Sequence, residues 1–213
     1  MAAIYATAKA RSMTENNDPK IGGLLLAAGG SSRLGQPKQL LLFEGKTLIR
    51  RAAETLVNSA CDPVVVILGA EIERSAAEIS DLNVNVQINK DWRSGMSSSI
   101  NSGLRELLRT EPGLDAVVIA LCDQPNITSA DIDQLIRVFN STGRLIVASQ
   151  YGDATGVPAL FSKEIFNELL ALTGDKGARK IIRDHITDVE TVKMDNAAFD
   201  IDTVDDADRL ISR

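Results

Sequence analysis

A chain of 213 residues with 44% hydrophobic content is long enough for one sizeable core, and a single mixed globular domain burying about 70% of its unfolded surface is expected. Lysine and arginine total 23 against 29 acidic residues, and the net charge of −6 excludes a general attraction to nucleic acid or to an anionic membrane, so any bound anion must be gripped by a local cluster. Two cysteines, both beside apolar runs and without metal-ligand spacing, argue against a disulfide framework, and the lack of any apolar run near the roughly 20 residues of a membrane span, or of an apolar signal core at the N-terminus, points to a soluble cytoplasmic protein.

Residues 1–19, closing on "SMTENNDP", show no sustained apolar period and are expected to form a disordered extension ahead of one domain over 20–213. From Leu24 onward, short apolar runs alternate with amphipathic segments. The runs are Leu24 to Ala28, Val64 to Leu68, Ala116 to Leu121 and Leu145 to Ala148. Near-continuous apolar runs of this length predict strands of a parallel sheet covered on both faces, whereas the alternating "VNVQI" at Val84 to Ile88 predicts a half-exposed strand. Helical patterns cover Thr47 to Ser59, the stretch after Thr128 and the stretch from Ser162 through Leu170. After Thr128, Ile132, Leu135, Ile136 and Phe139 fall on one helical face, with Thr128 and Asp131 placed as a capping box. Strand then helix, repeated, predicts an α/β sandwich with right-handed crossovers and ligands beyond the carboxyl ends of the strands.

The first such end carries "GGSSRLGQPK", residues 29–38. Glycines allow close approach of the backbone to a ligand, and exposed amides in such a turn form an anion-binding nest. Ser31 and Ser32 supply hydroxyls, Arg33 can grip two phosphate oxygens and Lys38 adds a compact charge, which together suit a polyphosphate. "GKT" at Gly45 to Thr47 is not a Walker A loop, because Leu40 stands where the upstream glycine belongs.

"LLAAGGSSRLGQPKQLL" resembles the A-A-G-x-S-x-R-x-G-x-x-K signature of nucleotidyltransferases with the GT-A-like, three-layer Rossmann-like fold, whose central sheet is mostly parallel. "NKDWRSGMSSSINSGL" at 89–104, "CDQP" at 122–125 and "GDKGAR" at 174–179 resemble the molybdenum cofactor cytidylyltransferase branch, and with "DIDTVDDADRL" the similarity spans nearly everything after residue 20. The resemblance implies transfer of CMP from CTP to the terminal phosphate of molybdopterin, with Mg²⁺ as cofactor and pyrophosphate as product. A guanylyltransferase or a sugar-phosphate nucleotidyltransferase is the alternative within the enzyme class, and a non-catalytic nucleotide- or cofactor-binding protein is the alternative outside it. Expected partners are CTP, the molybdenum cofactor and a transient contact with a recipient molybdoenzyme or its chaperone, with no nucleic acid and no membrane.

The resemblance also assigns residues. Leu26, Ala27, Ala28, Gly29, Gly30, Ser31, Ser32, Arg33 and Lys38 would bind the nucleotide, with Arg33, Lys38 and Asp123 as the catalytic group. Gly95, Ser98 and Ser99, at the start of a predicted helix carrying Ile100, Leu104, Leu107 and Leu108, would contact base and ribose, although Ser97 or Ser98 could equally serve as an N-cap. Lys176, Gly177 and Arg179 would receive the phosphate-bearing acceptor, beside the strand-like "TGVPALF" at 155–161. Asp123, just past the run "AVVIAL", suits a hard oxygen-coordinated ion. Asp200 is expected as its second carboxylate, with Asp202 as the alternative, while Asp205 and Asp206 suit the start of a last helix. Cys122 and Trp92 read as packing residues, and the sole histidine, His185, receives no role.

Overall fold

The computed structural model describes residues 18–30 and 37–201. Residues 1–17 of the expected extension, Ser31, Ser32 and Arg33 of the first loop, and Asp202, Asp205 and Asp206 lie outside the described residues.

In chain order the elements are β1 (Ile21–Ala27), a small hairpin of β2 (Leu42–Phe43) and β3 (Lys46–Thr47), α1 (Leu48–Val57), β4 (Val64–Leu68), α2 (Ile72–Glu78), β5 (Asn85–Ile88) and α3 (Met96–Thr110). There follow β6 (Ala116–Leu121), α4 (Ser129–Thr142), β7 (Ile146–Tyr151), β8 (Ala154–Ser162), α5 (Phe166–Leu170), α6 (Ala178–Asp184) and β9 (Val189–Lys193). Seven of the strands form one sheet in the order β5-β4-β1-β6-β8-β7-β9. All neighbours pair in parallel except at β8, which runs against both β6 and β7.

The apolar runs explain the layering. Every residue of β1 and β4 is buried, and alternate side chains feed two cores. Leu25, Ala27, Val66 and Leu68 pack with Ile49, Leu56, Ile132 and Leu135 of α1 and α4 on one face. Leu24, Leu26, Val65 and Ile67 pack with Ile100, Leu104 and Leu107 of α3 and with α5 and α6 on the other. This is the expected three-layer α/β sandwich with a mostly parallel sheet. Each such fully buried aliphatic contributes about 1.5–3 kcal/mol. Among the described residues, no helix is long and apolar enough to cross a membrane.

Helix starts are fixed locally. Thr47 caps α1 by accepting from Arg50 N at 3.4 Å, and the Thr128–Asp131 capping box opens α4. The stretch from Ser162 to Leu170 divides into a short 3₁₀ turn, Lys163–Ile165, followed by α5. The expected half-exposed strand is the sheet edge β5, where Val86 and Ile88 remain 42% and 44% exposed because Gln87 is the residue turned toward α3, its Nε2 3.3 Å from Ser102 Oγ.

Helix α3 packs on the sheet at Gly103, where there is no room for a side chain. A Cβ there would sit 2.2 Å from Leu24 Cδ1 and 2.9 Å from Ile67 Cδ1, both on fully buried side chains. Gly103→Ala gains about 1 kcal/mol of helix propensity but overpacks at a cost of about 1–3 kcal/mol. A net loss of stability is expected, seen as a lower urea midpoint at unchanged m-value; an unchanged or raised midpoint would contradict the close packing.

Candidate active site

Strands β1, β4 and β6 end on the same side of the sheet, and there a cavity of about 780 Å³ opens, within the usual range for a small-molecule site. Its walls come from the last residues of β1 and the start of the first loop (Leu26, Ala27, Ala28, Gly29), from Lys38 and Gln39, from the start of α3 (Gly95, Met96, Ser99) with Trp92 and Arg93 before it, from Leu121, Cys122 and Asp123 after β6, and from Asp175.

The loop leaving β1 returns at Pro37, whose fixed φ of −63° delivers the chain into a 3₁₀ turn, Lys38–Leu40. This turn aims two side chains. Lys38 Nζ donates to Asp123 Oδ2 at 2.7 Å, with side-chain exposures of 15% and 20% for the pair. Gln39 is buried and sends Nε2 back to the carbonyls of Ala27 (3.2 Å) and Gly29 (2.8 Å). A side chain from the loop's returning end therefore ties down its leaving end. Gln39 was not among the sequence candidates, since a polar residue after a lysine carries no pattern that marks it as buried.

Asp123 follows β6 as expected, and its Oδ1 is buried without a hydrogen-bond donor among the described residues. The Ile201 amide donates to the Asp123 carbonyl at 3.2 Å, which brings Asp200 alongside from the far end of the chain. Ile201 is anchored in a small separate cluster with Phe43 and Leu48. Among the described residues, no group of three or more histidine, cysteine, aspartate or glutamate side chains is placed to hold a metal. Two carboxylates, one presenting a buried oxygen without a donor, nevertheless suit a hard divalent ion that completes its shell with substrate phosphates and water. Burial, reinforced by the Asp123 charge, pushes the Cys122 thiol up to about 12, so it is protonated at neutral pH and unsuited to nucleophilic work.

The start of α3 is docked to the segment before α6. Gly95 caps the helix at φ +113°, and a Cβ there would lie 2.3 Å from the Gly174 carbonyl carbon and oxygen; both the left-handed backbone and the close approach require glycine. The Ser97 amide (3.2 Å) and hydroxyl (2.7 Å) donate to the Gly174 carbonyl. Asn89 Nδ2 donates to Ser98 Oγ (2.9 Å) and Ser99 Oγ (3.0 Å). Of the expected base and ribose contacts, Gly95 and Ser99 line the cavity, while Ser98 stands behind its wall, within bonding distance of the Gly95 and Asp91 carbonyls. Neither Ser97 nor Ser98 is the N-cap of α3, which is Gly95.

The expected acceptor residues lie next door. Gly177 opens α6, and a Cβ on it would lie 2.5 Å from the sulfur of Met96, a cavity residue. Arg179 Nη2 donates to the Tyr151 hydroxyl at 2.6 Å, and Lys176 is exposed. Lys176, Gly177 and Arg179 are outside the lining of the cavity itself, which Asp175 reaches.

A family model described as "MobA-like NTP transferase domain" matches residues 23–189. The "Nicotine blue oxidoreductase" of Paenarthrobacter nicotinovorans is 31% identical over 209 residues, covering 93% of this chain and all of that one. A "Probable molybdenum cofactor guanylyltransferase" of Bacillus cytotoxicus is 26% identical over 73% of this chain and 75% of its own length. The crystal structure of Rv0371c from Mycobacterium tuberculosis H37Rv matches with a TM-score of 0.79 at 29% identity, covering 92% of this chain and 100% of that one. A complex of Rv0371c with manganese matches with a TM-score of 0.75 at 28% identity, covering 92% and 99%.

Proposed function

This chain belongs to the MobA-like NTP transferase family, and we propose that residues 20–213 act as one nucleotidyltransferase domain that moves a nucleoside monophosphate from its triphosphate to the terminal phosphate of molybdopterin. The observation that carries this reading is the Lys38–Asp123 pair, 2.7 Å apart, set in a cavity beyond β1 and β6 next to the backbone of Gly29. The triphosphate tail would lie along Gly29, Gly30, Ser31 and Ser32. Arg33 would hold the β- and γ-phosphates, and Lys38 would meet charge growing on the α-phosphoryl oxygens. Gly95 and Ser99 would contact base and ribose, with Ser98 supporting Ser99 through Asn89, while Lys176, Gly177 and Arg179 would receive the acceptor.

An oxygen of the acceptor phosphate attacks the α-phosphorus, the bond to the β-phosphate oxygen breaks, and pyrophosphate leaves. The acceptor is already an anion, so no general base is required, and positioning with charge neutralisation supplies most of the rate. Asp123 and Asp200 would hold Mg²⁺, which neutralises charge on the phosphate oxygens when bound; the manganese complex of Rv0371c supports a divalent ion here. A recipient molybdoenzyme or its chaperone would take the product in a transient contact.

The base is read two ways. "CDQP" and "GDKGAR" resemble the cytidylyltransferase branch and favour CTP, while curated relatives named molybdenum cofactor guanylyltransferase favour GTP and give that reading the better support. Pyrophosphate release measured with molybdopterin and each of the four triphosphates separates them, and release with none of the four would overturn nucleotidyl transfer. The relative from Paenarthrobacter nicotinovorans, named an oxidoreductase, favours a second reading, a redox enzyme. Binding of NADH or NADPH, with its oxidation by an added dye, would mark that activity.

A further inference from the structure

The only tryptophan of the chain, Trp92, occupies a place that packing alone does not require. It sits in the 3₁₀ turn Trp92–Ser94 immediately before Gly95 and α3, half-buried against the core beneath α3 and forming part of the cavity wall. A Cβ on Gly30 would lie 2.5 Å from the indole Cη2, and a Cβ on Gly69 would lie 2.6 Å from Cγ and 2.7 Å from Cδ1. The six-membered end of the ring thus rests on the backbone where the first loop leaves β1, and the five-membered end rests on the turn after β4. Arg93 stacks its guanidinium carbon 4.4 Å from the ring centroid.

The start of the first loop, at the cavity wall, and the turn after β4 therefore both rest on one rigid side chain from the segment before α3. Amides act on a phosphate only when held in place before it arrives, and the contact at Gly30 leaves no slack between ring and backbone. We propose that Trp92 is a positioning residue for nucleotide binding: its indole sets where the Gly29–Gly30 backbone lies relative to the start of α3, and thereby the fit of the triphosphate. This rests on the nucleotidyltransferase reading above. The pairing explains why Gly30 is glycine although its neighbour Gly29 meets nothing within 4 Å of a built Cβ.

Full-length protein is titrated by calorimetry with CTP and with GTP, each with Mg²⁺, for the wild type, Gly30→Ala, Trp92→Leu and the double variant. Each single variant is expected to weaken triphosphate binding by roughly 10- to 100-fold, the scale set by misplacing a positioned group. The double variant should bind more tightly than Gly30→Ala, because removing the indole makes room for the added methyl. The acceptor's KM should stay at the wild-type value. Wild-type affinity in Trp92→Leu, or losses that simply add in the double variant, would overturn the proposal. Should Trp92→Leu fail to fold, Trp92→Phe carries the same comparison, since the smaller ring withdraws from Gly30. Absence of triphosphate binding by the wild type would instead overturn the nucleotidyltransferase reading itself.

Discussion

An Asp123→Asn protein is expected to release pyrophosphate roughly 10³-fold more slowly than the wild type at saturating triphosphate. The substitution keeps the shape of the side chain but removes the charge that faces Lys38 at 2.7 Å, together with a buried oxygen that has no donor among the described residues. A divalent ion supplies several kcal/mol of charge stabilisation in such chemistry, and each ~1.36 kcal/mol is a factor of ten. Manganese binding, followed by electron paramagnetic resonance, should weaken in parallel. Turnover within a few-fold of wild type in a folded Asp123→Asn protein would remove Asp123 from the metal and catalytic roles together.

The second large effect is at Lys38. Lys38→Ala should lower turnover by roughly 10²- to 10³-fold, the range for loss of one preorganised donor to a developing anion, and near-wild-type turnover would dispose of the proposed role. The two losses should not add. Lys38 and Asp123 touch, so the double variant is expected to lose less than the sum of the two in free energy. Measuring kcat for all four proteins under one condition gives the coupling directly, and strict additivity would mean that the pair does not persist in the working enzyme.

Much of this arrangement can be read from residue pattern, and the rest cannot for identifiable reasons. β4 and β6 have the bounds of their apolar runs, because a strand buried on both faces needs an unbroken run and little else in the chain supplies one. The capping box at Thr128 is legible because it is local. By contrast, α2 is seven residues long and β9 buries only Val192 fully, so neither has enough period to stand out. The reversed direction of β8 has no mark in its own residues and follows from the pairing of its neighbours. In the site, Lys38 and Asp123 are recognisable by type and by their place after strands. Gln39 and the pairing of Gly95 with Gly174 are not, since each depends on a backbone segment brought close only by the fold. Trp92 reads as a packing residue, and it does pack, but against glycines whose identity is explained only in three dimensions.

The bond from the Ile201 amide to the Asp123 carbonyl has a temporal meaning during synthesis. All seven strands of the large sheet have left the ribosome by the time Lys193 emerges, whereas the acidic pair is completed by a residue made later and seated by Ile201 between Phe43 and Leu48. A nascent chain can thus have every strand of its scaffold while still lacking Asp200, the second of the two carboxylates proposed to hold the ion. Premature termination after Met194 is expected to leave a protein without pyrophosphate release in which the Lys38–Asp123 pair is already built.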